Sequence, residues 1–287
     1  MENTLKGKTA IVTGGSRGIG FAITKELLDQ GVTNVFICSR SKEQLEIAVD
    51  RLKRGRGKVY SLIADVSKFK DCQKLINFAY SKTGRIDVLV NNAGIYGPVG
   101  LLETNDPEGW LEILKINILG TVHCSKLAIP YMKRKKGGKI INLSGAGVGG
   151  PKALPRFAGY YTSKAAIAAF TETLAQELES ENIQVNAIAP GGVATDLNLN
   201  LLKLKKSQLG EDMYKMAKLL KQKGGTPPEL SAKLVAFLAS KESDHISGCI
   251  LSAKWDSIEL LKKVKPLNKN LYRLRRIDGK NFVEKKQ

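Results

Sequence analysis

Thr9-Ala10-Ile11-Val12-Thr13-Gly14-Gly15-Ser16-Arg17-Gly18-Ile19-Gly20 is the stretch on which the reading of this chain turns. A short apolar run leads into a glycine-rich turn, and the turn opens directly on a helical pattern. In that order, backbone N–H groups at a helix N-terminus can meet a pyrophosphate without Cβ atoms in the way. Glycine also permits positive φ in the turn and close contact between helix and strand. The same turn could serve as a tight, ligand-free connection, so the sequence around it carries the argument.

Outward from this turn, apolar runs and helical stretches alternate. Runs rich in Val and Ile occur at Thr9–Thr13, Val35–Cys38, Val59–Ile63, Val88–Val90, Lys139–Leu143, Ile183–Ala189 and Cys249–Leu251. Several are apolar throughout, as strands covered on both faces are. Between them, helical periodicity covers Gly18–Gln30, Lys42–Lys53, Lys68–Lys82, Pro107–Met132, Tyr161–Ser180 and Pro227–Ala239. This alternation predicts one α/β domain over residues 1–253, a doubly wound, mainly parallel sheet of seven strands with helices on both faces. Residues 194–225 are too long for a plain connection and are expected to form a substrate lid. Residues 254–287 form a basic C-terminal extension that carries Leu260, Leu261, Leu271, Tyr272, Leu274, Ile277 and Phe282, so it could pack on the domain or serve as a contact surface.

Composition narrows the class. The chain has 287 residues and a net charge of +19. Its lysines concentrate in two places: seven lie between Leu201 and Gly225 beside two acids, and eleven basic residues follow from Lys254 beside four acids. A basic face can attract nucleic acid, anionic lipid or a phosphorylated substrate, but no nucleic-acid motif accompanies it, and a solvated lysine-rich surface is the preferred reading. Cys38, Cys72, Cys124 and Cys249 are widely spaced and read as reduced, buried small hydrophobes. With only His123 and His245, no metal site is expected. Met1–Lys8 lacks the apolar run of a signal peptide and no stretch is long enough to span a membrane. The expected location is therefore the cytoplasm.

Cofactor choice is read where the second strand ends, at Cys38-Ser39-Arg40. A carboxylate there would bind a ribose 2′-hydroxyl and repel a 2′-phosphate. None is present. Ser39 can donate a hydrogen bond, and Arg40 and Arg17 offer planar forks for phosphate, so NADP(H) is expected over NAD(H).

Tyr160-Tyr161-Thr162-Ser163-Lys164 opens the helix after the fifth strand. A spacing of four sets Tyr160 and Lys164 on one helical face. An ammonium beside a phenol favours the phenolate and lowers its pKa from about 10. Tyr161, three before Lys164, is the rival. A Tyr-x-x-x-Lys pair alone is common by chance.

With its companions, however, the sequence resembles the short-chain dehydrogenase/reductase family in its single-domain form, over roughly Leu5–Leu251. The resemblance rests on Thr13-Gly14-x-x-x-Gly18-x-Gly20, Ala64-Asp65-Val66, Asn91-Asn92-Ala93-Gly94, Asn117 within Ile116-Asn117-Ile118, Ser144 at the end of the fifth strand, Tyr160-x-x-x-Lys164 and Pro190-Gly191-Gly192-Val193-Ala194-Thr195. It implies a Rossmann-type sheet and a carbonyl–alcohol oxidoreductase acting on a small molecule, with Asn117, Ser144, Tyr160 and Lys164 as catalytic residues. It implies cofactor contacts from Gly14, Ser16, Arg17, Gly18, Ile19, Gly20, Ser39, Arg40, Asp65, Val66, Asn92, Ala93, Gly94, Tyr160, Lys164, Pro190, Gly191, Val193 and Thr195. Tyr160 would exchange the proton, Ser144 would hold the substrate oxygen, Lys164 would bind the ribose and tune Tyr160, and Asn117 would anchor a water. A homodimer or homotetramer is expected.

Three features depart from the family pattern. The Ser144–Tyr160 interval is longer than expected, with Lys152 and Arg156 as candidate substrate contacts in the added loop. The glycine-rich finish of the last strand is replaced, and the basic extension follows it. An epimerase or dehydratase, and a non-catalytic cofactor-sensing or nucleic-acid-associated protein on the same fold, are the alternative functions.

Overall fold

Every residue of β1 (Thr9–Thr13) and β4 (Val88–Asn91) is buried, because these strands occupy the middle of a sheet covered on both sides. The computed structural model describes residues 5–53, 57–145, 147–148, 153–263 and 272–273. With β2 (Asn34–Ser39), β3 (Lys58–Ile63), β5 (Gly138–Leu143), β6 (Ile183–Ala189) and β7 (Ile250–Ser252), the sheet runs β3-β2-β1-β4-β5-β6-β7. The sequence predicts a mainly parallel sheet, and all six strand pairings are parallel.

Strand alternation gives the sheet two apolar faces. Ile11, Phe36, Leu89 and Ile140 pack on one face against Leu75, Ala128 and Leu174, from α3 (Phe69–Thr83), α5 (Gly120–Arg134) and α6 (Ala158–Glu177). Val12, Ile37, Val90 and Ile141 face the other side with Ile23, Leu45 and Leu234, from α1 (Gly18–Asp29), α2 (Lys42–Leu52) and α10 (Pro228–Ala239). Each fully buried aliphatic side chain contributes about 1.5–3 kcal/mol. The four cysteines are free and buried.

One expected helix is divided. The periodicity over Pro107–Met132 predicts a single helix, whereas α4 (Pro107–Ile113) and α5 are joined by a π-helical stretch, Leu114–Leu119. Wider π turns are a recurrent feature of functional sites, and this one carries Asn117. A polar chain fixes the strand ends nearby. Asn91 Nδ2 donates to Asn142 Oδ1 at 2.9 Å and Ser125 Oγ at 3.1 Å, and Asn142 Nδ2 donates to Thr171 Oγ1 at 2.9 Å. β4, β5, α5 and α6 are thereby locked in mutual position.

Residues 194–225 leave and rejoin the body at one point. Val193 and Gly225 form an antiparallel bridge, and Thr226 N donates to Gly192 O at 2.7 Å. Gly225 has φ +66°, and a Cβ there would lie 2.4 Å from Gly192 O, so the closure requires glycine. The excursion holds α7 (Asp196–Leu199), α8 (Lys206–Leu209) and α9 (Glu211–Lys223). Its Leu201, Leu209, Met213 and Ala217 form a small core with Val99 and Phe157.

Tyr272 and Arg273 lie on the edge of the sheet. After α11 (Ile258–Lys263), Tyr272 O accepts from Ile250 N at 2.7 Å and Arg273 pairs with Glu172 at 3.3 Å. These contacts partly cover the free edge of β7, which would otherwise invite strand pairing. Leu271, Leu274, Ile277 and Phe282, like Lys152, lie outside the described residues. No helix among the described residues is long and apolar enough to cross a membrane.

Candidate active site

The strand order reverses between β1 and β4, and in doubly wound sheets ligands bind at such a switch point, beyond the carboxyl ends of the strands. A cleft of about 620 Å³ opens there. Its floor is the turn between β1 and α1. Asn92 Nδ2 donates to Thr13 O at 2.9 Å and Gly14 O at 3.0 Å, while Thr13 Oγ1 accepts from Asn92 N and Ala93 N. The turn is thus stitched to the end of β4. A Cβ on Gly20 would lie 2.2 Å from Gly14 O and 2.4 Å from Asn92 Nδ2, so only glycine fits. The N-cap of α1 is Arg17, which makes no side-chain cap, and no acid stands in the first turn. The N–H groups of that turn are left without a side-chain acceptor, as an anion site requires.

The structure places Ser16, Arg17, Gly18, Ile19, Ser39, Arg40, Asp65, Val66, Ala93, Gly94, Pro190 and Thr195 on the walls of this cleft. Asp65 accepts from Ser67 N at 3.0 Å and Ser67 Oγ at 2.7 Å. Ser39 Oγ accepts from Ser41 N at 3.0 Å, and Ser41 caps α2 through Gln44 N. Arg17 Nη1 instead pairs with Asp196 Oδ2 of α7 at 3.0 Å, tying the glycine turn to the excursion. Gly191 and Val193 are not on the wall. Gly191 turns at φ +80° against Thr226, and Val193 is consumed in the bridge to Gly225.

Ser144, Tyr160 and Lys164 meet at the far end. Lys164 Nζ donates to Leu143 O at 2.7 Å and lies 5.6 Å from the centre of the Tyr160 ring. Ser144 Oγ donates to Lys164 O at 3.2 Å. Gly145 makes room for the pair, since a Cβ there would sit 2.7 Å from Lys164 Cγ and 3.3 Å from the Tyr160 hydroxyl. The rival Tyr161 is spent, its hydroxyl donating to Gly147 O at 3.0 Å. Asn117 is fully buried behind the wall. Its Oδ1 accepts from Ile95 N at 2.9 Å, and its Nδ2 donates to Ile95 O at 3.0 Å and Ser163 Oγ at 2.9 Å. Its side chain therefore braces the residues beside Tyr160 and Lys164.

The sequence model of the short chain dehydrogenase family matches residues 8–205. The chain belongs to the short-chain dehydrogenase family. It is 34% identical over 241 residues to the 3-oxoacyl-(acyl-carrier-protein) reductase FabG of Staphylococcus epidermidis, covering 84% of this chain and 95% of that protein. It is 41% identical over 195 residues to chlorophyll(ide) b reductase NOL, chloroplastic, of Oryza sativa subsp. japonica, covering 65% of this chain and 56% of that relative's length. The crystal structure of levodione reductase shares the fold, with a TM-score of 0.77 at 24% identity over 86% of this chain and 96% of that one.

In this short-chain dehydrogenase, burial governs both members of the pair. It pushes the Tyr160 phenol up and brings Lys164 down to about 8. The expectation from sequence is that Lys164 lowers the phenol; instead, loss of water disfavours the charged form of each group, and Tyr96 pushes the Tyr160 phenol in the same upward direction. A second correction concerns Arg156. Its Nη1 donates to Ser207 O at 2.8 Å and Gln208 O at 3.3 Å, so it tethers the excursion instead of facing the cleft. Sequence reading also passed over Tyr96. Its ring lies 4.5 Å from that of Tyr160 and 5.2 Å from that of Phe157, and its hydroxyl donates to Asn198 Oδ1. No motif marks it, because its partners are 64 and 102 positions away.

Proposed function

We propose that this short-chain dehydrogenase interconverts a carbonyl and an alcohol on a small molecule with NADP(H), Tyr160 serving as general acid and base. The observation that carries this reading is one continuous cleft with an anion-ready helix terminus at one end and Ser144, Tyr160 and Lys164 at the other. The residues present fit a dinucleotide. Glycines clear the backbone at Gly14 and Gly20, and Arg17 and Arg40 flank a second-strand end that bears no carboxylate. A bound nicotinamide supplies the hydride.

The chain's own residues supply position and the proton. Burial keeps the Tyr160 phenol neutral, the form that can donate to a carbonyl oxygen as it gains charge. Ser144 can turn its hydroxyl from Lys164 O to the same oxygen. Lys164 is held at Leu143 O with donors to spare for a ribose. Residues 194–225 act as the lid, since Ala194 and Thr195, with Asp196 and Leu197 of α7, line the cleft. Homodimer or homotetramer formation follows from the family likeness, and light scattering checks it.

The test is NADPH consumption with a panel that includes a 3-oxoacyl thioester, an oxidised sugar and chlorophyllide b, repeated with Tyr160→Phe. Turnover of one carbonyl that is lost in Tyr160→Phe, with NADPH binding retained, supports the reading. Near-normal activity in that variant overturns it.

A further inference from the structure

Tyr96 stands where the lid and the proton donor meet. It lies two residues beyond Gly94 in the segment after β4, and its side chain works in two directions. Its ring is tilted against Tyr160 at 4.5 Å and set edge-on to Phe157 at 5.2 Å, so it packs directly beside the phenol ring of Tyr160. Its hydroxyl reaches Asn198 in α7. That amide cannot turn freely: Asn198 Nδ2 donates to Val193 O at 2.6 Å, at the root of the lid, which leaves Oδ1 as the acceptor for Tyr96. Burial pushes the Tyr96 phenol up to about 12, so it remains a neutral donor at physiological pH. Tyr96 and Tyr160 also pack together on the small core that Leu201, Leu209 and Met213 build beneath the lid.

We propose that Tyr96 is a positioning residue that couples lid closure to the orientation of Tyr160. The ring seats the proton donor, and the Asn198 bond holds that seat only while α7 is docked. Two other contacts hold the same lid without touching Tyr160. Arg156 binds the carbonyls of Ser207 and Gln208, and Gln208 Nε2 donates to Val99 O at 2.9 Å. Neither can pass the state of the lid to the phenol; Tyr96 can, because one rigid ring carries both contacts. The proposal rests on Tyr160 being the proton donor, so its test includes a measurement independent of turnover.

Hydrogen exchange across residues 196–223 is that measurement. Tyr96→Phe keeps the ring and deletes the bond, and the lid amides should exchange about three- to tenfold faster, as loss of one hydrogen bond allows. Tyr160→Ala should also loosen the lid, and the two effects should be less than additive when combined, because they share one contact path. With a substrate found by the NADPH panel, Tyr96→Phe should lower kcat more than it raises KM, while Gln208→Ala should loosen the lid and leave kcat near normal. Unchanged lid exchange in Tyr96→Phe, additive effects in the double variant, or equal kcat losses in Tyr96→Phe and Gln208→Ala would overturn the coupling. Failure of every substrate would count against the proposed reaction, and the exchange results would still decide the coupling.

Discussion

Two lysines are buried at opposite ends of β5, and their surroundings differ. At the start of the strand, Lys139 Nζ pairs with Asp244 Oδ1 at 2.6 Å and approaches Ser243 Oγ at 3.4 Å. Asp87, which pairs with Arg85 and Lys135, and Lys8, which donates to Ala239 O, belong to the same end of the sheet. At the finish of the strand, Lys164 has Leu143 O and, among the described residues, no carboxylate partner. A buried charge without a counter-charge costs stability. Lys139 is matched by an opposite charge, whereas Lys164 is held, among the described residues, by one carbonyl.

The largest expected effect that sharpens this contrast is on chemistry. Tyr160→Phe should reduce turnover by about 10²–10⁴-fold, the usual contribution of a positioned general acid, while NADPH fluorescence titration shows binding retained. Lys164→Met should also cost activity but raise stability. The folded-state value of Lys164 is about 8 against 10.5 in the unfolded chain, so the unfolded state binds more protons between these values. Its penalty is full below pH 8 and fades as pH rises towards 10.5. Urea midpoints should therefore show Lys164→Met more stable by at most about 3 kcal/mol at pH 7, with the gain shrinking at pH 10. Lys139→Met should gain less, because burial lowers Lys139 too but its pair with Asp244 offsets part of that penalty. Equal behaviour of the two lysines would break the comparison.

Smaller effects probe the cofactor end. Gly20→Ala pushes a methyl group into Gly14 O and Asn92 Nδ2. It should destabilise the fold by about 1–3 kcal/mol and weaken dinucleotide binding, measurable by denaturation and by fluorescence titration. Smallest is Arg40→Ala, which should weaken NADPH binding about tenfold, as loss of one exposed charge-assisted contact does, and leave NADH binding unchanged. Equal losses for both cofactors would refute the reading of Arg40.

Much of this molecule was legible in order along the chain. Strand runs buried on both faces, the Gly14–Gly20 turn and the Tyr160–Lys164 spacing are local patterns, and β1 and β6 fall where periodicity sets them. Asn117 was legible as a residue of the site, but not its position: the π-helical stretch places its side chain behind the wall, where it braces Ile95 and Ser163. Arg156 read as a free cation beside the pocket because sequence cannot show that two carbonyls of α8 lie within its reach.

The sequence by itself determined the sheet, the glycine turn between β1 and α1 and the residue types at the far end of the cleft, because each depends on neighbours a few positions away. The tertiary structure alone decided which tyrosine faces the cleft, which way burial moves Tyr160 and Lys164, and what holds residues 194–225 in place. Those outcomes depend on desolvation and on pairs such as Tyr96 with Asn198 and Arg17 with Asp196, which are distant in the chain and meet only after folding.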